Sequence, residues 1–323
     1  MSEPRVSVVI RCFNEEKHIG ALLERVYQQT IRNPEVIVVD SGSTDRTLEV
    51  AHRYPVRVEQ VQPAEFTFGR SLNRGCRVAT GDYLVFASAH VVPCEPDWLQ
   101  RLTEPFNDPQ VALVYGRQLG DHRTKFSEHQ VFTKQYPLES NPDQRIPFCN
   151  NANAAVRRAL WLKHVYDETL SGLEDLEWGK WAVEQGHRIV YRADAGAYHI
   201  HEEAPSGIKR RYMREAIALK RLFPDSHVTW WEFVALLVSN VARDLAAALR
   251  RGVLFSKVFE ILMFRTMQYW GTYRGMNYRS PLTHELIMQF YYPRSWYPRR
   301  WRRAAPKTPG GTVLEGTYDP PRH

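Results

Sequence analysis

Long uncharged apolar runs are missing from this chain of 323 residues. The most apolar stretch, residues 230–247, is interrupted by Glu232, Asn240, Arg243 and Asp244. A membrane span needs about 20 largely uncharged residues, so this stretch is excluded as a transmembrane helix. It is expected to pack on the core or to lie on a membrane as an amphipathic helix. Cysteine is scarce as well. Cys12, Cys76, Cys94 and Cys149 show no C-x-x-C spacing, which argues against a zinc site or a disulfide framework and fits a reducing cytoplasm. No basic start followed by an apolar run opens the sequence, so a secretory signal is not expected. No Gly-x-Gly-x-x-Gly or Walker lysine loop follows the first apolar segment, and two common phosphate cradles are thereby lost.

What is present is ordinary in bulk and uneven in detail. The hydrophobic fraction of 43% and charged fraction of 24% suit a globular protein. The length fits one large α/β domain with an appendage, or two modest domains. The net charge of +7 gathers towards the C-terminal third. There Arg294, Arg299, Arg300, Arg302 and Arg303 mix with Tyr291, Tyr292, Trp296, Tyr297 and Trp301. Basic plus aromatic character suits an anionic membrane surface or a nucleic acid, or a solvated tail with some rings packed on the domain.

The first hundred residues alternate strand and helix. Apolar segments 6–10, 36–40, 56–61 and 83–87 read as strands. Between the first two, residues 16–29 carry Ile19, Leu22, Leu23 and Val26 at helical spacing. Ser43-Thr44-Asp45 is expected to begin a second helix, and 69–79 a third. Such alternation predicts a mostly parallel sheet flanked by helices. Further on, 111–115 and 186–191 read as strands, 120–147 resists assignment, and Leu173-Glu174-Asp175 opens a helix reaching about Gln185. From Lys209 onward the pattern is helical. The implied division is 1–208 as the α/β domain, 209–303 as a helical basic and aromatic region, and 304–323 as a Pro- and Gly-rich disordered tail.

Open α/β sheets bind ligands at the carboxyl edge of their strands. The run Val36-Ile-Val-Val-Asp40-Ser-Gly-Ser-Thr-Asp45 delivers an aspartate to that edge, and Arg11 ends the first strand. Asp40 can accept from a base imide or a ribose hydroxyl, and Arg11 and Arg70 can offset phosphate charge. Asn14 and Glu15 are expected to cap the following helix. Asp40, Ser43 and Asp45 also suit plain turn and cap duty.

These residues fall into three motifs: Val-Ser-Val-Val-Ile-Arg11-Cys-Phe13-Asn14-Glu15-Glu, Val-Val-Asp40-Ser-Gly-Ser43-Thr-Asp45 and Gly69-Arg70-Ser-Leu-Asn73-Arg-Gly75. In order and spacing they resemble the inverting family 2 glycosyltransferases of GT-A fold, including rhamnosyltransferase-like bacterial members. The resemblance runs through Glu174-Asp175 to about His201 and covers roughly the first two thirds of the chain. It implies a nucleotide-sugar donor and a saccharide or lipid-linked acceptor in surface polysaccharide or glycolipid assembly. No nucleic acid partner is then expected. The place of work would be the cytoplasm, at the inner face of the plasma membrane if the C-terminal region touches it. By the family's pattern the residue matching Asp40 holds the base, and those matching Arg11, Phe13 and Arg70 lie near the nucleotide. Asp175 matches the general base, with Glu174 orienting it or holding the acceptor. Asn153 and Trp178 could contact the acceptor sugar, with turn and core roles as alternatives.

One motif departs from the family. Where Asp-x-Asp usually holds a divalent metal, this chain has Ser88-Ala89-His90. The polypeptide N-acetylgalactosaminyltransferases, with Asp-x-His, look similar there. An imidazole suits Mn²⁺ better than Mg²⁺. His199 and His201 could complete the site; residues two apart on a strand point oppositely, so one of them, His199, is expected to reach it. The alternatives are another nucleotide-using α/β enzyme, such as a nucleotidyltransferase, and a binding or scaffold protein impaired by loss of the metal carboxylates.

Overall fold

Along the first strand Val6, Val8 and Ile10 enter one apolar cluster and Val9 enters another on the opposite face, all of them buried. A strand buried on both faces must lie mid-sheet with helices on either side. The computed structural model, which describes residues 5–280 together with Leu286, Phe290 and Tyr291, has that arrangement. The arginine cluster at 294–303 and the tail at 304–323 lie outside the described residues.

In chain order the elements are β1 (Val6–Cys12), α1 (Ile19–Tyr27), β2 (Glu35–Asp40), α2 (Thr47–Ala51), β3 (Arg57–Gln60), α3 (Phe68–Val78), β4 (Tyr83–Ser88), β5 (Val91–Pro93), α4 (Trp98–Thr103), β6 (Val111–Leu119), α5 (Phe126–Gln135), β7 (Asn141–Gln144), β8 (Asn153–Arg157), α6 (Arg158–Trp161), α7 (Glu174–Glu184), β9 (Arg188–His199), α8 (Pro205–Leu222), α9 (Trp230–Arg250) and α10 (Leu254–Met276). They form a nine-stranded sheet in the order β3-β2-β1-β4-β8-β6-β9-β5, with β7 beside β9. The β3-β2-β1-β4 half is parallel, as the βα alternation predicts. The other half is mixed, because β8 enters antiparallel to both β4 and β6. The unassigned stretch 120–147 contains α5 and β7.

Two details differ from the sequence reading. The second helix starts at Thr47, not at residues 43–45, because Asp45 caps Thr47 N (3.0 Å) and also accepts from Glu16 N (3.1 Å) across the loop. Around α1 the side chains of Asn14 and Glu15 do not cap. Main-chain Glu15 O accepts from Ile19 N at 3.0 Å, and its carboxylate is left for other use.

The helical region packs closely on itself and is bonded to α5 through Phe126 N to Glu260 and Arg265 to Ser127 O. The boundary expected after residue 208 falls inside α8. Gly271 and Gly275 of α10 lie so close to α8 that a Cβ on either would collide with the backbone of Lys209 or Met213. Asp244 of α9 and Arg265 of α10 form a buried bidentate pair at 2.7 and 3.0 Å. The charges that interrupt the apolar run 230–247 therefore include one that locks this helix to its neighbour. Among the described residues no helix is long and apolar enough to cross a membrane.

Candidate active site

Strand register gathers the chemistry. Arg11 pairs with Ser88 and Cys12 with Asp40, so β1, β2 and β4 end level at one edge. A cavity of about 710 Å³ opens there. Arg11, Phe13, Asn14, Glu15, Ser88 and His90 line its sheet side. His201 and the α8 residues Arg210, Arg211 and Arg214 close it opposite.

Three imidazoles meet beside this cavity. One ring nitrogen from each of His90, His199 and His201 lies within 4.8 Å of the others. Each ring is oriented through Nδ1: His90 by Glu15 Oε1 (2.6 Å), His199 by Gln118 Oε1 (2.6 Å) and His201 by Glu128 Oε1 (2.8 Å). Every partner is an oxygen acceptor, so each Nδ1–H donates and each Nε2 is left to face the other rings. His90 Nε2 and His199 Nε2 meet at 3.1 Å. A proton shared between the two nitrogens, or a cation accepting both lone pairs, satisfies this contact. Oriented imidazoles backed by carboxylate and amide oxygens are the donor set of a transition-metal site.

The expectation that only His199 reaches the site is corrected by this geometry. Side chains alternate only while the chain runs in the sheet. His199 is the last residue of β9 and the chain leaves the sheet at Ile200, so His201 swings back beside it, ring centroids 4.1 Å apart. Burial, reinforced by the other two imidazoles, pushes His199 well below its ordinary value. Burial acts in the same sense on His90, but the Glu15 carboxylate outweighs it and the net shift is upward. Glu128, buried yet paired with His201 and Arg211, is held down at about 2.

The second feature is cationic and aromatic. The guanidinium carbons of Arg11 and Arg214 each lie 4.6 Å from the Phe68 ring centroid. Nε of both arginines is buried with no hydrogen-bond partner among the described residues. Arg11 Nη1 reaches Glu174 Oε1 at 3.3 Å. The neighbouring Asp175 is buried at the start of α7, where it accepts from Asn151 N (3.1 Å) and Leu176 N (2.8 Å). Burial, then the Glu174 charge, raises its pKa despite those bonds.

Several other candidates are spent on the fold. Asp40 is 1% exposed, accepts from Gly42 N (3.0 Å) and Ser43 N (3.1 Å), and is not among the cavity-lining residues. Its carboxylate turns back onto its own loop, the turn role its position also allows. Ser43 Oγ accepts from Asn14 N at 2.9 Å, stapling the first two loops together. Arg70 pairs with Glu168 at 2.8 Å, and Asn73 is fully buried holding Tyr166 and Trp161. Asn153 uses both amide atoms on Trp98, Arg117 and Ala195. Trp178 is fully buried and donates to His164 O at 2.7 Å, so its ring cannot stack on a sugar. Conversely, Gln118, Glu128, Phe68, Arg211 and Arg214 were not signalled by the sequence. The first two lie on β6 and α5, and nothing in their local spacing tells that they meet imidazoles more than seventy residues away.

Comparison with known proteins agrees with the geometry. Residues 7–163 match the family model Glycosyl transferase family 2. The O-antigen chain rhamnosyltransferase WbaN of Salmonella anatum is 28% identical over 202 residues, 57% of this chain and 62% of that protein. This chain thus spans less than two thirds of WbaN. The O-antigen chain rhamnosyltransferase RfbN of Salmonella typhimurium is 25% identical over 227 residues, 64% of this chain and 70% of that one. Among solved structures, the mannosyltransferase PcManGT from Pyrobaculum calidifontis, in complex with GDP-Man and Mn²⁺, superposes with a TM-score of 0.56 at 19% identity, covering 91% of this chain and 87% of its own. S. aureus TarS 1–349 in complex with UDP-GlcNAc gives 0.54 at 20% identity, covering 82% and 90%. The fold is that of the GT-A glycosyltransferases.

Proposed function

We propose that this chain, in which residues 7–163 are a family 2 glycosyltransferase domain, moves a sugar from a nucleotide-diphosphate donor to an acceptor hydroxyl with inversion. The observation that carries the reading is the cavity itself: oriented imidazoles and the guanidiniums of Arg11 and Arg214 meet at the sheet edge, and Arg11 reaches Glu174 of the buried Glu174-Asp175 pair. Cationic donors suit a diphosphate that gains charge as it departs. A divalent cation held by His90, His199 and His201 would add Lewis-acid stabilisation of the same charge. Nitrogen ligands without a carboxylate favour Mn²⁺ over Mg²⁺. Arg11 and Arg214 line the cavity and bring positive charge to the diphosphate.

Asp175 serves as the base that takes the acceptor proton. Its raised pKa makes it a stronger base than an ordinary carboxylate. Glu174, tied to Arg11, supplies part of that shift and links the base to the phosphate side of the cavity. Asp40, buried in its loop, shapes the 41–43 turn beneath the nucleotide and does not contact the base in this form. The resemblance to O-antigen chain rhamnosyltransferases supports a polysaccharide acceptor.

The test is a panel of UDP-, dTDP- and GDP-sugars incubated with the protein and Mn²⁺, with and without chelator. Release of nucleoside diphosphate that stops on chelation is expected. Release of pyrophosphate would instead assign a nucleotidyltransferase, and donor binding without turnover would assign a scaffold.

A further inference from the structure

Helix α9 is apolar on two faces. Phe233 and Asp244 turn inward, where Phe233 meets Trp270 and Tyr273 of α10. Outward stand Trp231 (78% exposed), Val238 (61%) and Leu249 (64%), with alanine at the intervening outward positions 235, 242 and 246. Steps of three and four residues put all six on one stripe of the helix. The stripe continues across the turn into α10 as Phe255 (94% exposed), Phe259 (82%) and Leu262 (41%), again three and four apart. A groove lined solely by Leu245, Ala246, Leu249, Leu254, Phe255 and Val258 joins the two helices. Exposed phenylalanines in one contiguous apolar stripe are unusual for a surface that faces only water.

Towards the turn between α9 and α10, over residues 243–251, the exposed charges are all basic. Arg243, Arg250 and Arg251 are exposed, and among the described residues none of them is ion-paired with a carboxylate. The nearby acids are occupied: Glu232 closes the capping box with Thr229, and Glu260 holds Lys257 and Phe126 N. We propose that the outward face of α9 and the first turns of α10 form a monotopic docking surface for an anionic lipid bilayer. The helices lie in the interface, with Trp231, Phe255 and Phe259 among the acyl chains and the arginines at the headgroups. Charge selects this occupant. Exposed arginines beside an exposed apolar stripe complement anionic headgroups. The chain's own residues 294–303 carry five further arginines and are of the same sign.

The test is flotation of the full chain with vesicles of phosphatidylcholine alone or with one third phosphatidylglycerol, beside light scattering for oligomeric state. The wild-type protein is expected to float with the anionic vesicles and to release as salt rises. Phe255→Ser with Phe259→Ser, both exposed and free of core packing, should lower partitioning by roughly tenfold or more. Arg243→Glu with Arg250→Glu should do likewise on anionic vesicles only. Trp231→Ser gives an independent variant at the other end of the stripe. The proposal is overturned if the protein does not float, if the variants float unchanged, if neutral vesicles bind equally, or if the serine variants instead dissolve a dimer.

Discussion

Glu15 has an ordinary local position, just after β1, yet it acts at a distance by holding His90 Nδ1 at 2.6 Å. Replacing it with alanine leaves His90 without its orienting acceptor. Carboxylates behind metal-bound imidazoles typically contribute ten- to a hundredfold in affinity. Glu15→Ala is therefore expected to weaken Mn²⁺ binding by about that factor in a calorimetric titration, and an unchanged affinity would remove the metal reading. The residue scale is also where sequence reading misled. Asp40, Asn73, Asn153 and Trp178 are chemically fit for ligands, and the fold consumes each of them in buried hydrogen bonds. Burial is a property of the folded chain, so residue type alone cannot separate a spent side chain from an available one. His201 was misjudged for a related reason: strand alternation was applied two residues beyond the end of β9.

Elements were more legible where they bury apolar side chains at regular spacing. The strands β1, β2 and β4 and the helices α1, α3 and α7 lie within a few residues of their sequence-based bounds. Helix α5 was not legible, because two of its four buried side chains, Ser127 and Glu128, are polar and break the apolar spacing between Phe126 and Phe132; Glu128 is spent on His201 and Arg211. In α9 the interrupting charges were read as a bar to membrane crossing. The structure adds that Asp244 pairs with Arg265 in the interior. Removing one partner of a buried pair leaves an uncompensated charge, at a cost of about 3–5 kcal/mol. Asp244→Ala should lose roughly that much stability in urea unfolding followed by circular dichroism. A loss within experimental error would show that α9 is held by its apolar contacts alone.

At the scale of the whole molecule, the site is a joint product of residues 7–163, which match the family 2 glycosyltransferase model, and of β9, the segment after it and α8. Residues 7–163 supply Arg11, Glu15, Phe68 and His90, while His199, His201 and Arg214 come from later in the chain. The α/β frame was readable from apolar spacing and motif order. The metal end was only half readable, since its second layer comes from β6 and α5, which converge on it only in the folded sheet. In the proposed reading the cavity's cationic side chains meet the diphosphate, and Asp175, buried behind Glu174 outside the cavity lining, takes the acceptor proton. The measurement that tests this most directly is the pH–rate profile of sugar transfer at saturating donor for the wild type and for Asp175→Asn. Burial and Glu174 raise the Asp175 pKa, so its basic form is lost as pH falls through a value above the usual carboxylate range. The account predicts an acidic limb in that raised position for the wild type, and for Asp175→Asn a rate lower by about a hundredfold or more with the limb absent. Near-wild-type turnover by Asp175→Asn, with the same acidic limb, would contradict it.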